Sequence, residues 1–461
     1  FEMSNMKRNI ISELEDWKND GNRKPLLLKG IPRSGKTSVL QQFGRDCFSD
    51  TAYFNFEETP ELQTIFQTNL TPRRILTELG HIRGKPITPG KTLLILDEIQ
   101  VCLEAILSLK YFADRLHIAC TGSLIGPTLA RSPSFPIEEV NILTLRPMDF
   151  TEFLQANDCG YLVAMVEDRL PGEPLMEEIM ILLDDLCREY LITGGMPEAV
   201  SDWIAHHDIT RINKIHKQIL QSYTIDFAEY VPKNDISKLT LIWDAIPRQL
   251  AKKNRRFIFS HVKNGAREKD LRGALQWLID ADLVHKVERI DKPVLPLAAH
   301  ANTSYFKLYF ADVGLFRTLA GIPAEDIFTK SDSSSEIRKA LTENFVLTEL
   351  IAGVIPHAYF WKSKYRAKVD FVIEITKNII PLEVNQAEKT WSGSLARYQE
   401  LYRPKLSLKI SQNKFWFKRY KCGPCMKFPL HCAWQMPEDV RQMIVFKDSA
   451  IKIKELRICI G

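Results

Sequence analysis

No apolar run in the 461-residue sequence reaches the roughly 20 residues needed to cross a bilayer, and no charged stretch followed by an apolar segment of signal-peptide type stands near its start. These absences set the expectation of a cytoplasmic protein with no membrane partner. Cysteine is too sparse and too scattered for a disulfide framework: nine residues, an odd number, point to reduced thiols. Cys422-Gly423-Pro424-Cys425, followed by His431 and Cys432, has partial metal-ligand spacing. A second C-x-x-C is missing, so a zinc site and a plain turn between strands both stay open. Charge of one sign is also scarce overall, with a net charge of +5 in a chain that is 45% hydrophobic and 26% charged. Such a composition excludes a disordered polyelectrolyte, and the length predicts three or so folded domains.

What is present begins with a phosphate cradle. Leu26-Leu27-Leu28-Lys29 reads as a strand and runs into Gly30-Ile31-Pro32-Arg33-Ser34-Gly35-Lys36-Thr37, which fits G-x-x-x-x-G-K-[ST] and opens a helix through Val39, Leu40 and Phe43. Glycines let the backbone fold around a phosphate chain with its N–H groups inward, and the helix N-terminus adds positive dipole. ATP is the expected ligand, held by Gly30, Arg33, Ser34, Gly35, Lys36, Thr37 and Ser38, with Lys36 on the β/γ-phosphates and Thr37 on Mg²⁺. Lys91-Thr92-Leu93-Leu94-Ile95-Leu96-Asp97-Glu98 is a buried-strand pattern ending in two carboxylates. Asp97 is expected at the Mg²⁺ with Thr37, and Glu98 as the group that polarises the attacking water. A third strand, His117 to Thr121, exits through Gly122-Ser123, where Ser123 is a candidate γ-phosphate contact. The expected catalytic set is therefore Lys36, Asp97, Glu98 and Ser123.

The basic excess has an address. Between Arg248 and Arg272 stand nine basic residues, among them Lys252, Lys253, Arg255, Arg256, Lys263, Arg267, Lys269 and Arg272, against Glu268 and Asp270 alone. A short amphipathic helix over Phe257 to Val262, a break at Asn264-Gly265, a second helix carrying Leu271, Leu275 and Leu278, then strands at Leu283 to Ile290 and Tyr305 to Phe310 follow the order of a winged helix-turn-helix. In that reading Arg267, Lys269 and Arg272 face duplex DNA, and Lys252, Lys253, Arg255 and Arg256 meet phosphates. A merely solvated basic face is the plain alternative.

After the linker-like Ser331 to Ser335 a new α/β pattern begins. Glu343 on a helix, Asp370 in one strand and Glu383 in the next form a carboxylate set of the kind that binds Mg²⁺ in PD-(D/E)XK nucleases. The lysine such a site needs two residues beyond the second acid is replaced by Asn385, which supplies no cation, so hydrolysis is expected to be crippled.

Taken with Ser108-Leu109-Lys110-Tyr111-Phe112, Arg146 to Leu154, Gly194-Gly195-Met196-Pro197-Glu198 and Phe306 to Leu315, these motifs resemble a bacterial and archaeal family of AAA-type ATPases. Its members carry a C-terminal domain of unknown function related to PD-(D/E)XK nucleases. The likeness runs from about Met6 to Met436. Departures are Lys368 before Val369-Asp370-Phe371, where a glutamate is usual, Asn385 in place of lysine, and Glu138 after Ser134-Phe135-Pro136. The resemblance implies an α/β fold: a P-loop parallel-sheet core (1–155), a helical lid (156–235), a winged helix-turn-helix (236–330), a restriction-endonuclease-like domain, inactive (336–436), and a tail (437–461). It places Gly195 and Pro197 near the adenine. Oligomers and a protein partner are further expectations, and Arg131 and Arg146 are candidates for an arginine finger supplied by a partner. The expected function is a Mg²⁺-dependent ATPase coupled to DNA binding. A DNA nuclease and a non-hydrolysing scaffold are the alternatives.

Overall fold

The computed structural model describes residues 6–112, 116–127, 137–328, 336–353, 355–364, 366–384, 393–411 and 415–448. Its first part alternates helices and strands: α1 (Ile10–Asn19), β1 (Leu26–Gly30), α2 (Lys36–Cys47), β2 (Asp50–Asn55), α3 (Leu62–Thr68), α4 (Pro72–Ile82), β3 (Thr92–Asp97), α5 (Leu103–Ser108), β4 (His117–Ser123) and β5 (Asn141–Thr144). The strands form a five-stranded sheet in the order β2-β3-β4-β1-β5, and every pairing is parallel. Because side chains alternate across a strand, the apolar runs feed both faces. Leu27, Leu94, Leu96, Ile118 and Cys120 join the layer of α3 to α5, whereas Leu26, Leu28, Leu93, Ile95 and Ala119 join that of α1 and α2. The register aligns the strand ends: Gly30 faces Ser123, and Asn55 faces Asp97. That common edge is where α/β sheets bind ligands.

A helical layer follows: α6 (Phe150–Ala156), α7 (Gly160–Glu167), α8 (Glu177–Thr193), α9 (Pro197–His206), α10 (Ile209–Tyr230) and α11 (Lys233–Leu250). Asp149 caps α6 by accepting from the Glu152 N–H at 2.9 Å, and the Glu152 carboxylate returns the bond to the Asp149 N–H at 3.1 Å. The chain continues through α12 (Glu268–Asp280), β6 (Val284–Ile290), β7 (Ala301–Phe310), α13 (Val313–Leu319), α14 (Glu325–Phe328), α15 (Glu336–Ala352), β8 (Tyr359–Lys362), β9 (Lys368–Ile375), β10 (Asn378–Val384), α16 (Gly393–Tyr402), β11 (Ser407–Ser411), β12 (Trp416–Tyr420), β13 (Gly423–Pro429) and α17 (Met436–Asp448).

These last strands build one eight-stranded sheet, ordered β12-β13-β11-β10-β9-β8-β6-β7. The β6–β7 hairpin, expected as part of a module of its own, is paired in parallel to β8, with Glu288 opposite Tyr359 and Ile290 opposite Trp361. The apolar core is likewise shared. Tyr190 of α8 packs against Phe150 and Phe153 of α6 and Phe345 of α15 at centroid distances of 5.3 to 5.8 Å. The expected linker at 331–335 lies outside the described residues. Two local expectations need correction. Phe257 to Val262, expected as the first of two short helices, holds only a 3₁₀ turn at Phe259–His261, and the Phe257 N–H donates to the Phe306 carbonyl of β7 at 2.9 Å instead of to a helical partner. The expected tail from 437 is helix α17 as far as 448, because Val440, Met443 and Ile444 are apolar at helical spacing and bury against the core.

Three glycines allow the parts to meet at one point. A Cβ on Gly195 would lie 1.9 Å from the Met148 carbonyl oxygen, and one on Gly314 would lie 2.7 Å from the Gly194 nitrogen. There the buried Asp312 carboxylate accepts from Gly195 N–H at 2.6 Å and Leu315 N–H at 2.7 Å. Gly195→Ala is therefore expected to lower unfolding free energy by about 1–3 kcal/mol or more, read from urea denaturation followed by circular dichroism.

Candidate nucleotide site

The loop from Gly30 to Lys36 leaves β1 at the shared edge and turns back under α2. Gly30 has no room for a side chain, since a Cβ would sit 2.2 Å from the Leu145 carbonyl oxygen. Gly35 takes φ +93° as it delivers the chain to α2. Arg33 adopts φ +63° at the loop tip, a conformation most side chains avoid. Lys36 is buried beneath the loop, its Nζ donating to the Gly30 and Ile31 carbonyls at 3.1 Å each. Burial pulls its pKa down, opposed by Glu98, Asp97 and Asp226.

Asp97 collects donors. It accepts from the Thr37 hydroxyl, 3.1 and 3.0 Å from its two oxygens, from Tyr53 at 2.7 Å and from Thr121. The Tyr53 hydroxyl keeps its proton, because burial and the Asp97 carboxylate raise its pKa. Glu98 has a left-handed backbone, φ +51°. Its carboxylate accepts from Gln100 Nε2 at 2.6 Å, Ser123 N–H at 3.1 Å and the Ser123 hydroxyl at 3.0 Å. The structure thus brings Lys36, Thr37, Asp97, Glu98 and Ser123 together.

A cavity of about 330 Å³ opens above them, lined by Met6, Arg8, Arg33, Gly35 to Val39, Gln42, Glu98, Ser123, Pro197 and Glu198. Gly30 and Ser34, buried within the loop, do not line the cavity. Gly195 is not at its wall either: the backbone contacts with Met148 and Asp312 hold it in the interior, which corrects the expected adenine contact, while Pro197 does line the cavity. Arg146 lines a separate small cavity beside His285, and its carbonyl accepts from Arg8. Arg131 falls outside the described residues.

Arg8 is a residue that sequence reading missed, as it belongs to no motif. It is 7% exposed, and its guanidinium donates to Glu152 at 3.0 Å, the Ser34 carbonyl at 3.0 Å and the Arg146 carbonyl at 2.6 Å. This ties the chain before α1 to the loop and to the cap of α6. Helix α10 is tied to the same loop. Tyr223 donates to the Pro32 carbonyl at 3.1 Å, and Tyr230 to Glu57 at 2.8 Å. Asp226 between them has its pKa raised to about 6 by burial first, then by Glu229, Glu57 and Glu98.

The other expected sites fare differently. Arg267, Lys269 and Arg272 are exposed on or at the start of α12, with Lys252 and Lys253 also exposed. Arg255 leaves that set: it is 2% exposed, donates to the Glu336 carboxylate at 2.7 Å and lies 3.6 Å from Glu343. Glu343, Asp370 and Glu383 are all buried. Cations already stand among them, with Lys307 3.6 Å from Glu343 and Lys339 3.8 Å from Asp370. Lys307, Arg255 and Lys339 hold the Glu343 pKa down at about 2 against its burial. Among the described residues no His/Cys/Asp/Glu group is arranged to hold a metal ion, which corrects both the carboxylate set as a Mg²⁺ site and the zinc alternative. Lysine and arginine take the space a cation would need, and Cys422 and Cys425 stand at the start of β13 whereas His431 and Cys432 follow its end. Asn385 lies outside the described residues.

A parallel sheet with a phosphate loop after β1 and an acidic pair at the end of β3 is the arrangement of a P-loop ATPase core. Family models agree in part: residues 22–154 match an AAA domain, 184–326 a domain of unknown function (DUF8612), and 338–428 another (DUF4143). A search of curated proteins finds no match. Among solved structures the chain is similar to the Walker-type ATPase PABY2304 of Pyrococcus abyssi, with 16% identity, 68% of this chain and 95% of that one covered, and a TM-score of 0.42. It is also similar to the Aeropyrum pernix ORC1 protein in complex with DNA, with 11% identity, coverage of 70% and 93%, and a TM-score of 0.27. AMPPCP-bound DnaA from Aquifex aeolicus gives 15%, coverage of 57% and 73%, and 0.25.

Ionised Asp226 repels an incoming phosphate, and its proton is retained below about pH 6. Asp226→Asn is expected to tighten ATP binding at pH 7.5 on the order of 3-fold. The difference from wild type should vanish as pH falls below 6, measured by calorimetric titration of both proteins across pH.

Proposed function

We propose that the protein is a cytoplasmic, Mg²⁺-dependent ATPase of the AAA/switch type whose nucleotide state is coupled to DNA binding. The observation that carries this reading is the packing of Lys36, Thr37, Asp97, Glu98 and Ser123 at one sheet edge beneath a cavity of about 330 Å³. A threonine hydroxyl and a carboxylate are hard oxygen donors that fit Mg²⁺, so Thr37 and Asp97 would hold it. Bound there, the ion would offset phosphate charge. Lys36, released from the Gly30 and Ile31 carbonyls, has its ammonium to offer to the phosphates. Arg8 and Pro197 wall the cavity where the rest of the nucleotide would lie.

Glu98 is the group to hold and orient the attacking water. Ser123 and Gln100 now occupy its carboxylate, so Ser123 is suited to a second role, releasing Glu98 when it turns to a γ-phosphate. The DNA-binding element is α12, with Arg267, Lys269 and Arg272 outward and Leu271, Leu275 and Leu278 inward, followed by the β6–β7 hairpin. This is the order of a winged helix-turn-helix. The C-terminal region, read as a degenerate nuclease relative, is assigned no hydrolytic role, because cations already neutralise Glu343 and Asp370.

Lys36→Ala is expected to abolish ATP binding, and Glu98→Gln to keep binding while lowering turnover by about 10²-fold or more. Phosphate release measured with and without duplex DNA checks this: turnover should rise with DNA and the DNA should stay uncut. Binding without any turnover in wild type would instead favour a scaffold.

A further inference from the structure

Resting on the DNA-binding reading above, we infer that the protein has a second phosphate-backbone site for duplex DNA, separate from α12, built around Tyr305. Three cations stand over this one ring: Arg256 at 4.2 Å, Arg289 at 4.6 Å and Lys362 at 5.8 Å from its centroid. Lys362 Nζ also lies 3.2 Å from the Tyr305 hydroxyl. Each cation comes from a different stretch of chain: Arg256 from the segment ahead of α12, Arg289 from β6 and Lys362 from β8. No single sequence window holds them.

The surrounding charge is only partly balanced by the protein. Arg289 pairs with Asp291 at 2.7 Å. Among the described residues neither Arg256 nor Lys362 has a carboxylate partner, and the Nε donors of both arginines are buried without a hydrogen-bond partner. Cation–π contact rewards each cation singly, yet three like charges over one ring repel each other unless an anion sits among them. Arginine forks around an aromatic face suit a phosphodiester oxygen, where donors can spread over more than one phosphate.

The site is not an extension of α12. Phe257 and Phe306 stack at 5.7 Å and belong to the core that also buries Leu271 and Leu275 of α12. Their chain neighbours Arg256 and Tyr305 are only half-buried at the rim of that core, where Tyr305 packs on Phe360 at 5.8 Å. The cluster stands on elements other than α12, so its removal leaves Arg267, Lys269 and Arg272 in place.

The test is fluorescence-anisotropy binding of a 30-base-pair duplex across a salt series. Wild type is compared with Arg256→Ala/Arg289→Ala/Lys362→Ala, with Arg267→Ala/Lys269→Ala/Arg272→Ala, and with a net-charge control, Lys214→Ala/Lys217→Ala/Lys233→Ala. The Tyr305-cluster variant should bind at least 10-fold more weakly and lose about 2–3 from its log–log salt slope, as about 0.9 is lost per phosphate contact. The control should change neither, and ATP binding should persist in all. If the triple variant does not fold, Lys362→Gln alone should still lower the slope by close to one. Wild-type-like binding by the cluster variant, beside lost binding by the α12 variant, would overturn this inference and leave the α12 reading standing. No duplex binding by wild type would overturn both.

Discussion

The joint at Asp312 governs how the molecule is assembled. Its carboxylate accepts from Gly195 and Leu315, so one side chain fastens the turn between α8 and α9 to the exit of β7. Burial pushes its pKa up to about 6, opposed by those N–H bonds and by Arg317. A buried charge is tolerable only with such donors in place. Two residues beyond Gly195 the chain reaches Pro197, on the wall of the nucleotide cavity. The large sheet and the cavity wall are thus separated by one hydrogen-bonded junction, in which glycine is required for lack of space.

A second set of contacts keeps the front of the chain in register. Arg8 binds the phosphate loop through the Ser34 carbonyl and the α6 cap through Glu152, and both partners are buried. Removing one member of such a pair strands the other without compensation, typically at 3–5 kcal/mol. The segment before α1 is therefore part of the nucleotide site although it carries no motif.

The ATPase core was legible in the sequence because its chemistry is local: eight consecutive residues make the phosphate loop, and a strand run ends in Asp97-Glu98. The strands of the hairpin were legible for the same reason, through their apolar periodicity. What escaped depends on contacts between distant segments. Arg255 and Arg256 are neighbours of the same type, yet one pairs with Glu336 in the interior and the other stacks on Tyr305 at the surface. The pairing of β6 with β8 joins residues about seventy apart and has no signature in either strand. Gly195 read as an adenine contact from its motif, whereas packing against Met148 decides its place. The carboxylates Glu343, Asp370 and Glu383 were found correctly as buried acids, but the lysines and arginine that neutralise two of them come from other elements.

The continuous sheet changes what the C-terminal region is for. Strand β8 covers the edge of β6 that would otherwise present open N–H and C=O groups, and such edges invite pairing with other chains. Helix α15 likewise supplies Phe345 to the aromatic cluster beneath α6 and α8. A region with those duties is indispensable whatever chemistry it carries, for it serves as the missing side of its neighbour's architecture. Selection on it would then act through solubility and assembly, and its substitutions would be tolerated or rejected by how well they keep a seam closed.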